Sequence, residues 1–583
     1  MGMEGQRLMQ EIAGQTAETE FFSPMPEGYQ VGRTKYVAVF GTVMSGLGKG
    51  IFAASLAKLL QDKGLRVAPI KLEGYLNVDS GTLNPYRHGE VFVLDDGMEC
   101  DMDLGTYERM LDQDLTRDHF GTNGQFLRAV LERERHGEYL GRDVQIIPHV
   151  TGEVKAKLRR LAIESRADVV FVEIGGTAGD FENVYYIEAM RQLAYEEGPG
   201  NVCFVALTLV LEPRILGEQK SKAAQLGIKR LIEMGIQPAL IACRASAPVT
   251  DKVREKISLF TSVPMSRVFS MHDESSIYLI PSRMQREHLD SQVVHLLDLM
   301  DRVNPRAEQK AAAVWDDFCR RIREPKHEVS IAITGKYTAV RDSYASLIKA
   351  VEHAAAAHCA RADIRWIDVT DLTEAGAAKA LADVDAMIVP GGFGTRGAEG
   401  KIACIRYARQ HFIPYLGLCY GLQLAVVEFA RNVCGLAGAH STEVEAGTPH
   451  PVIDLLPEQK KVKDLGATMR LGGKDVEIRP GTLAAKMFGG AATARLRFRH
   501  RFEVNPEYVE RLERGGMVFS GKAPGRPIMQ ILELPDHPYF VATQAHPEFT
   551  SRPLRPSPFF LGLVAAALGH EAVGPAEPAK GFS

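Results

Sequence analysis

The stretch YVAVFGTVMSGLGKG, residues 36–50, decides the reading of the fold. Tyr36–Phe40 is an apolar run of strand length. Gly41–Gly50 is rich in glycine, and Ile51 to Lys63 then reads as a helix. The backbone N–H groups of such a loop, with the N-terminus of the helix behind it, form a nest for anions. Lys49 is placed to reach the outer phosphates of a nucleotide. The loop departs from GxxxxGK[ST]: the first glycine falls at Val43 and the final hydroxyl at Gly50. A magnesium ion bridging phosphates would then take its hard oxygen ligands from elsewhere in the chain. A glycine-rich turn that binds nothing is the alternative, and GLGKG between a strand and a helix argues against it.

Outward from this loop, short apolar strands alternate with helical segments: Arg66 to Leu72, Val169 to Ile174, Val202 to Leu211 and Ala239 to Cys243. That alternation implies a parallel α/β sheet covered on both faces. Residues 301–328 are charged and strandless, and read as a linker carrying a helix. A second α/β series begins at Val329–Ile333 and runs to residue 570. Residues 1–32 read as a polar extension outside the core, and 571–583 as a flexible tail. The chain has 583 residues, 45% of them hydrophobic and 24% charged, so a disordered or fibrous protein is excluded. A formal net charge of -4 gives no overall case for nucleic acid or an anionic membrane. Eight cysteines without a CxxC pair exclude zinc ribbons and fit a reducing compartment. Without a secretory leader or a spanning apolar run, the chain reads as cytoplasmic.

Several charged residues stand where a ligand crevice should open. Glu173 ends the run Val169–Ile174, and Lys71 follows the strand that leads to Ile70. Side chains just past the carboxyl ends of parallel strands point into the crevice. Asp103 lies in ECDMDLGTYER, where a solvated acidic loop is the alternative. Lys220, Lys222 and Gln225 lie in GEQKSKAAQ, which could grip a second polyphosphate or form a charged surface turn.

A second site lies in IPYLGLCYGLQLAVVEFA, residues 413–430. An apolar strand, a sharp turn with Cys419 between Gly417 and Gly421, and a helix follow one another. The glycines permit a strained turn that presents the thiol at the helix N-terminus. The helix dipole there favours the thiolate. The N–H of Tyr420 is a natural oxyanion donor, and VPGGFGTRG (389–397) could supply another. QAHPEF supplies a base, His546, and a residue to orient it, Glu548. The implied reaction is acyl transfer through a thioester, such as amide hydrolysis.

These residues resemble the CTP synthases, a family of glutamine amidotransferases, from about residue 34 to 570. PGGFG, GLCYGLQ, STE (441–443) and HPEFTS resemble the class I glutaminase, and alone would also fit GMP synthase or anthranilate synthase. SGLGKG, LNVD (76–79), HGEVFV (88–93), DMDLGTYER, EIGGTAGD and KxKxxQ (220–225) resemble CTP synthase in particular. The resemblance implies an α/β chain with a P-loop-like parallel-sheet synthase domain at 33–300 and a class I glutaminase domain at 329–570. It implies ATP-dependent amination of UTP to CTP with ammonia from glutamine. Lys49 and Lys71 would bind phosphates and stabilise their transfer, and Asp103 and Glu173 would hold Mg2+. ATP would contact Gly46, Leu47, Gly48, Lys49, Gly50, Ile51, Arg244 and Asp273. UTP and the inhibitor CTP would contact Ser45, Asp180, Phe181, Glu182, Lys220, Ser221, Lys222, Gln225 and Lys256. Glutamine would contact Gly392, Phe393, Tyr420, Gln423, Glu443 and Arg501. The family is usually tetrameric, and GTP activates its glutaminase half.

Some positions depart from the family pattern. KLDPY reads Lys71-Leu-Glu-Gly-Tyr75, SSLGKG has Gly46 for a serine, KTKPTQ has Ala223 and Ala224, and TTG reads Gly121-Thr-Asn-Gly124. Drift within a CTP synthase accounts for them. The sharper reading is a paralogue that aminates another nucleotide or carbonyl acceptor with the same ATP and glutamine chemistry.

Overall fold

The computed structural model describes residues 23–213, 217–335, 341–455 and 469–570. The described chain divides into two compact units. The first holds the residues up to Val78 and Arg117–Val314. The second holds Asp79–Thr116 and the chain from Trp315.

In the first unit the quoted stretch forms strand Lys35–Gly41, with all seven residues buried. It lies mid-sheet because it is apolar on both faces. In order, the strands are Phe120–Thr122, Val67–Glu73, Val169–Ile174, Lys35–Gly41, Val202–Leu209, Leu240–Ala245 and Val268–His272. Every pairing is parallel, so the carboxyl ends share one edge. The helix behind the central strand is Lys49–Asp62. Register sets Glu173 beside Val39 on one neighbour and beside Lys71 on the other.

The second unit carries a nine-stranded sheet. Ala360–Asp368, His327–Gly335, Ala386–Val389, Tyr415–Leu418 and Phe540–Thr543 are parallel. Met529–Glu533, Val518–Lys522, Arg470–Ile478 and Thr493–His500 continue it antiparallel. The antiparallel half goes beyond the expected α/β alternation. TARLRFRH alternates charged and apolar residues, the mark of a strand with unlike faces.

The expected linker is helical over Pro305–Arg323, with Trp315, Phe318 and Cys319 buried. Residues 1–22 and 571–583 lie outside the described residues. Ser23–Gly32 packs against the first unit and does not stand apart from it. Ser23 Oγ donates to Glu196 (2.7 Å), Gly32 N–H to Glu197 (3.0 Å), and the Tyr29 hydroxyl meets that of Tyr36 at 2.7 Å. The sequence reading missed this because only Tyr29 offers the core an apolar ring. No helix among the described residues is long and apolar enough to cross a membrane.

Phe171 is fully buried in the first sheet. Phe171→Ala should cost about 3–5 kcal/mol. It should lower the denaturant midpoint of the first unit, read by fluorescence and circular dichroism.

Candidate functional site

The glycine-rich loop sits at the carboxyl end of the central strand. Gly46 (φ 76°) and Gly48 (φ 81°) are left-handed, and so is Val43 (φ 67°), where the usual loop has glycine. A β-branched residue rarely adopts that conformation, so the strain marks a constrained turn. Lys49 Nζ donates to Gly176 O at 2.6 Å, which holds the ammonium over the loop after Val169–Ile174. Glu173 is fully buried and accepts from Lys71 Nζ at 2.6 Å. Lys71 also lies 3.4 Å from Glu73. A buried carboxylate is tolerated because the ammonium beside it offsets lost hydration.

The expected nucleotide residues are placed as follows. Arg244 ends strand Leu240–Ala245 and pairs with Asp273, so the two expected adenosine contacts stand together. Asp180 accepts from Thr177 N–H at 2.6 Å, and Phe181 is 87% exposed beside it. Gln225 donates to the Ser221 hydroxyl at 3.0 Å at the start of helix Lys222–Glu233. Lys220 pairs with Glu218. The hydrogen bond from Lys220, with Lys252 and Lys256 nearby, holds the Glu218 carboxyl below its ordinary range. Ser45, Gly46, Leu47, Gly48, Gly50 and Ile51 follow along the loop and its helix. Asp103 opens helix Met102–Leu111, which belongs to the second unit, whereas Glu173 belongs to the first.

Two departures from the family pattern meet in the first unit. Asn123 Nδ2 donates to Gly74 O (2.7 Å) and Glu182 O (3.0 Å), and Asn123 Oδ1 accepts from the Tyr185 hydroxyl. A Cβ at Gly74 would lie 2.7 Å from Asn183 Oδ1. The residue at 74 is small because asparagine 183 fills its space.

In the second unit Cys419 links strand Tyr415–Leu418 to helix Tyr420–Asn432 with φ 49° and ψ -97°. Its N–H donates to Thr543 O at 2.7 Å, which pins the turn to the neighbouring strand. Its Sγ lies 3.7 Å from Arg499 O and 3.5 Å from Gln544 Nε2. Gln544 was not anticipated; it stands two residues before His546, inside the quoted QAHPEF. His546 Nδ1 and Glu548 Oε1 are 2.7 Å apart. A Cβ on Gly391 would lie 2.8 Å from His546 Cε1 and 3.7 Å from Cys419 Cβ, so both side chains border this glycine. Burial pushes the imidazole pKa down, but the charges of Glu548 and Cys419 outweigh it and raise the value to about 10. The arrangement is a thiol next to a charged imidazole held by a carboxylate, which suits a nucleophile and its proton carrier.

The loop after strand Ala386–Val389 is tied to the same place. The Tyr420 hydroxyl donates to Gly394 O (2.8 Å), and Gly394 N–H donates to Glu443 (2.9 Å). Lys401 Nζ donates to Pro390 O at 3.3 Å and sits 5.3 Å from the Tyr420 ring centre. Lys401 was also missed, since a lysine in helix Ala398–Gln410 carries no motif. A Cβ on Gly392 would touch the Tyr420 ring at 3.6 Å, and Phe393 is 54% exposed. Gln423 is buried one turn along the catalytic helix and donates to Phe502 O at 3.0 Å. Arg501 lies between strands Thr493–His500 and Phe502–Val504.

A family model described as the CTP synthase N-terminus matches residues 35–299, and one described as class-I glutamine amidotransferase matches 339–566. The chain is 51% identical over 535 residues to a CTP synthase of Thermococcus gammatolerans, covering 92% of this chain and 98% of that one. It is 47% identical over 542 residues to a CTP synthase of Thermus thermophilus, covering 92% and 97%. Among solved structures, the glutaminase domain of Trypanosoma brucei CTPS with bound acivicin matches 43% of this chain and 98% of its own. The identity is 36% and the TM-score 0.40.

Glu548 stabilises the charged imidazole, so Glu548→Gln should move the His546 titration from about 10 toward the ordinary 6.5. The raised pKa contributes stability that is complete below 6.5 and lost as pH rises toward 10. The variant should lose less stability across that window. Histidine ring titration by NMR and denaturant melts between those pH values check both.

Proposed function

Because the chain belongs to the CTP synthase family, being 51% identical to one such enzyme along 98% of its length, we propose that it aminates UTP to CTP with ATP and glutamine. One observation carries the reading: a single chain holds both the Cys419 elbow with its hydrogen-bonded His546–Glu548 pair and the glycine-rich loop with Lys49 over Gly176.

The glutaminase half proceeds in two steps. The Cys419 thiolate attacks the side-chain amide carbon of glutamine, and the oxyanion is met by N–H donors at Tyr420 and the 391–394 loop. His546 gives a proton to the leaving nitrogen, the C–N bond breaks and ammonia departs. Water, activated by the imidazole, cleaves the thioester, gives glutamate and restores the thiol. Gly392, Phe393, Gln423, Glu443 and Arg501 surround the amino acid in this reading. Glu443 supports the loop through Gly394.

The ligase half uses the ammonia. The uracil O4 attacks the γ-phosphorus of ATP and ADP leaves. Ammonia adds at C4 and phosphate departs, giving CTP. Lys49 and Lys71 neutralise charge on the moving phosphoryl group. Magnesium supplies further charge neutralisation when bound. The buried carboxylate of Glu173 is a hard oxygen donor of the kind it takes. Arg244 and Asp273 face adenosine. Ser45, Asp180, Phe181, Glu182, Lys220, Ser221, Lys222, Gln225 and Lys256 receive UTP or the inhibitor CTP. Activation by GTP, a homotetramer and a cytoplasmic place complete the proposal.

Cys419→Ala should abolish CTP formation from glutamine, by about 10³-fold or more, and leave formation from ammonium salts intact. Lys49→Ala should impair both. Product analysis by mass spectrometry, with UTP and a panel of other nucleotides as acceptors, checks this. Equal loss of both activities in Cys419→Ala, or product only from another nucleotide, would reject the reading.

A further inference from the structure

The segment Asp79–Thr116 lies inside the stretch matched by the N-terminal family model, yet it belongs to the same compact unit as Cys419 and His546. Two of its side chains bear on the catalytic base. Phe92 is fully buried, and its ring centre lies 4.9 Å from that of Phe549. Phe549 stacks on His546 at 5.0 Å with the rings 11° from parallel. Glu108, also fully buried, accepts from Arg497 Nη1 (2.7 Å) and Arg552 Nη2 (2.9 Å). Asp114 joins both arginines at 2.9 Å, so two carboxylates balance two guanidinium groups.

The arginines carry this anchorage to the histidine. Arg497 O accepts the backbone N–H of His546 at 2.8 Å. Arg552 Nη1 donates to Phe549 O at 2.8 Å. Arg497 also donates to Val93 O (3.2 Å) and stands 5.8 Å from the Phe92 ring centre. The base is thus held at its backbone through Arg497 and along its ring through Phe549, and both supports are fixed by one segment.

We propose that Phe92 and Glu108 are positioning residues of the glutaminase, setting the place of His546 against Cys419 from a segment far upstream in the chain. Neither touches the thiol, and both act through Phe549, Arg497 and Arg552. The proposal rests on the glutaminase reading above. It has a chemical reason: proton transfer to the leaving nitrogen falls off steeply when the base moves by an ångström.

The test uses the full-length chain, glutamine as substrate and glutamate release as readout. Phe92→Leu removes the ring but keeps most of the apolar volume. Glu108→Gln removes the charge that anchors both arginines. Each variant should lower kcat for glutamine hydrolysis by roughly 10–100-fold and change KM by less than about 2-fold. The alkaline limb of the kcat profile should move to lower pH, because a loosened imidazole pairs less well with Glu548. A merely structural role would leave the pH limb in place. Should Glu108→Gln fail to fold, judged by its melt, Phe92→Leu alone decides. A folded Phe92→Leu with wild-type kcat and pH limb would overturn the proposal. A wild-type chain that releases no glutamate would overturn the glutaminase reading, and this proposal with it.

Discussion

A cysteine backbone held at φ 49° is the constraint around which the second unit is arranged. Such a conformation costs on the order of 1–3 kcal/mol and persists only when its surroundings over-determine it. Here they do. The Cys419 N–H is spent on Thr543 O, and the following helix, Tyr420–Asn432, is buried along its first three turns. The parallel order from Ala386–Val389 through Tyr415–Leu418 to Phe540–Thr543 brings three carboxyl ends side by side. The first is followed by Gly391, the second by Cys419 and the third by His546. A thiol that would point along an ordinary turn is turned toward the imidazole.

The first unit solves a different problem, which is how to keep charge at the end of an apolar strand. Glu173 is fully buried, and Lys71 on the adjacent strand is its compensation at 2.6 Å. Parallel register puts the two at the same level. The same edge carries Lys49, fixed by Gly176 O, and Arg244 paired with Asp273. Charges in this arrangement are paired yet stand at a sheet edge, where a polyanionic ligand can exchange partners with them. This edge is where the proposed phosphate binding would take place, and the strained Val43 lies in the loop expected to wrap it.

Two of the departures from the family pattern, at Gly74 and Asn123, meet in three dimensions. Asn123 and Gly74 are far apart in the sequence, and each looks like a loss of restraint when read singly. Together they make one hydrogen-bonded contact that also fixes the backbone of Glu182. A substitution read against a motif records what was removed. Only packing records what replaced it.

Strand Lys35–Gly41, the loop behind it, the Cys419 turn and the His546–Glu548 pair were legible because each depends on local pattern: apolar runs, glycines at turns and short spacings. The parallel sheets followed from strand and helix alternation. Three things were decided by tertiary structure alone. The antiparallel extension of the second sheet is built from strands that follow one another in sequence, but its joining to the parallel half through Phe540–Thr543 and the pairing of Arg470–Ile478 with Val518–Lys522 were set by the tertiary structure. The membership of Asp79–Thr116 in the second unit rests on buried charges, with Glu108 meeting Arg497 and Arg552 across 389 and 444 residues. Gln544 and Phe549 stand beside His546 in the sequence, but that Gln544 reaches the thiol and that Phe549 meets Phe92 as well as the imidazole was decided by the fold. Side chains that act through packing leave no local signature, because their partners are chosen by where the chain returns rather than by what lies next to them.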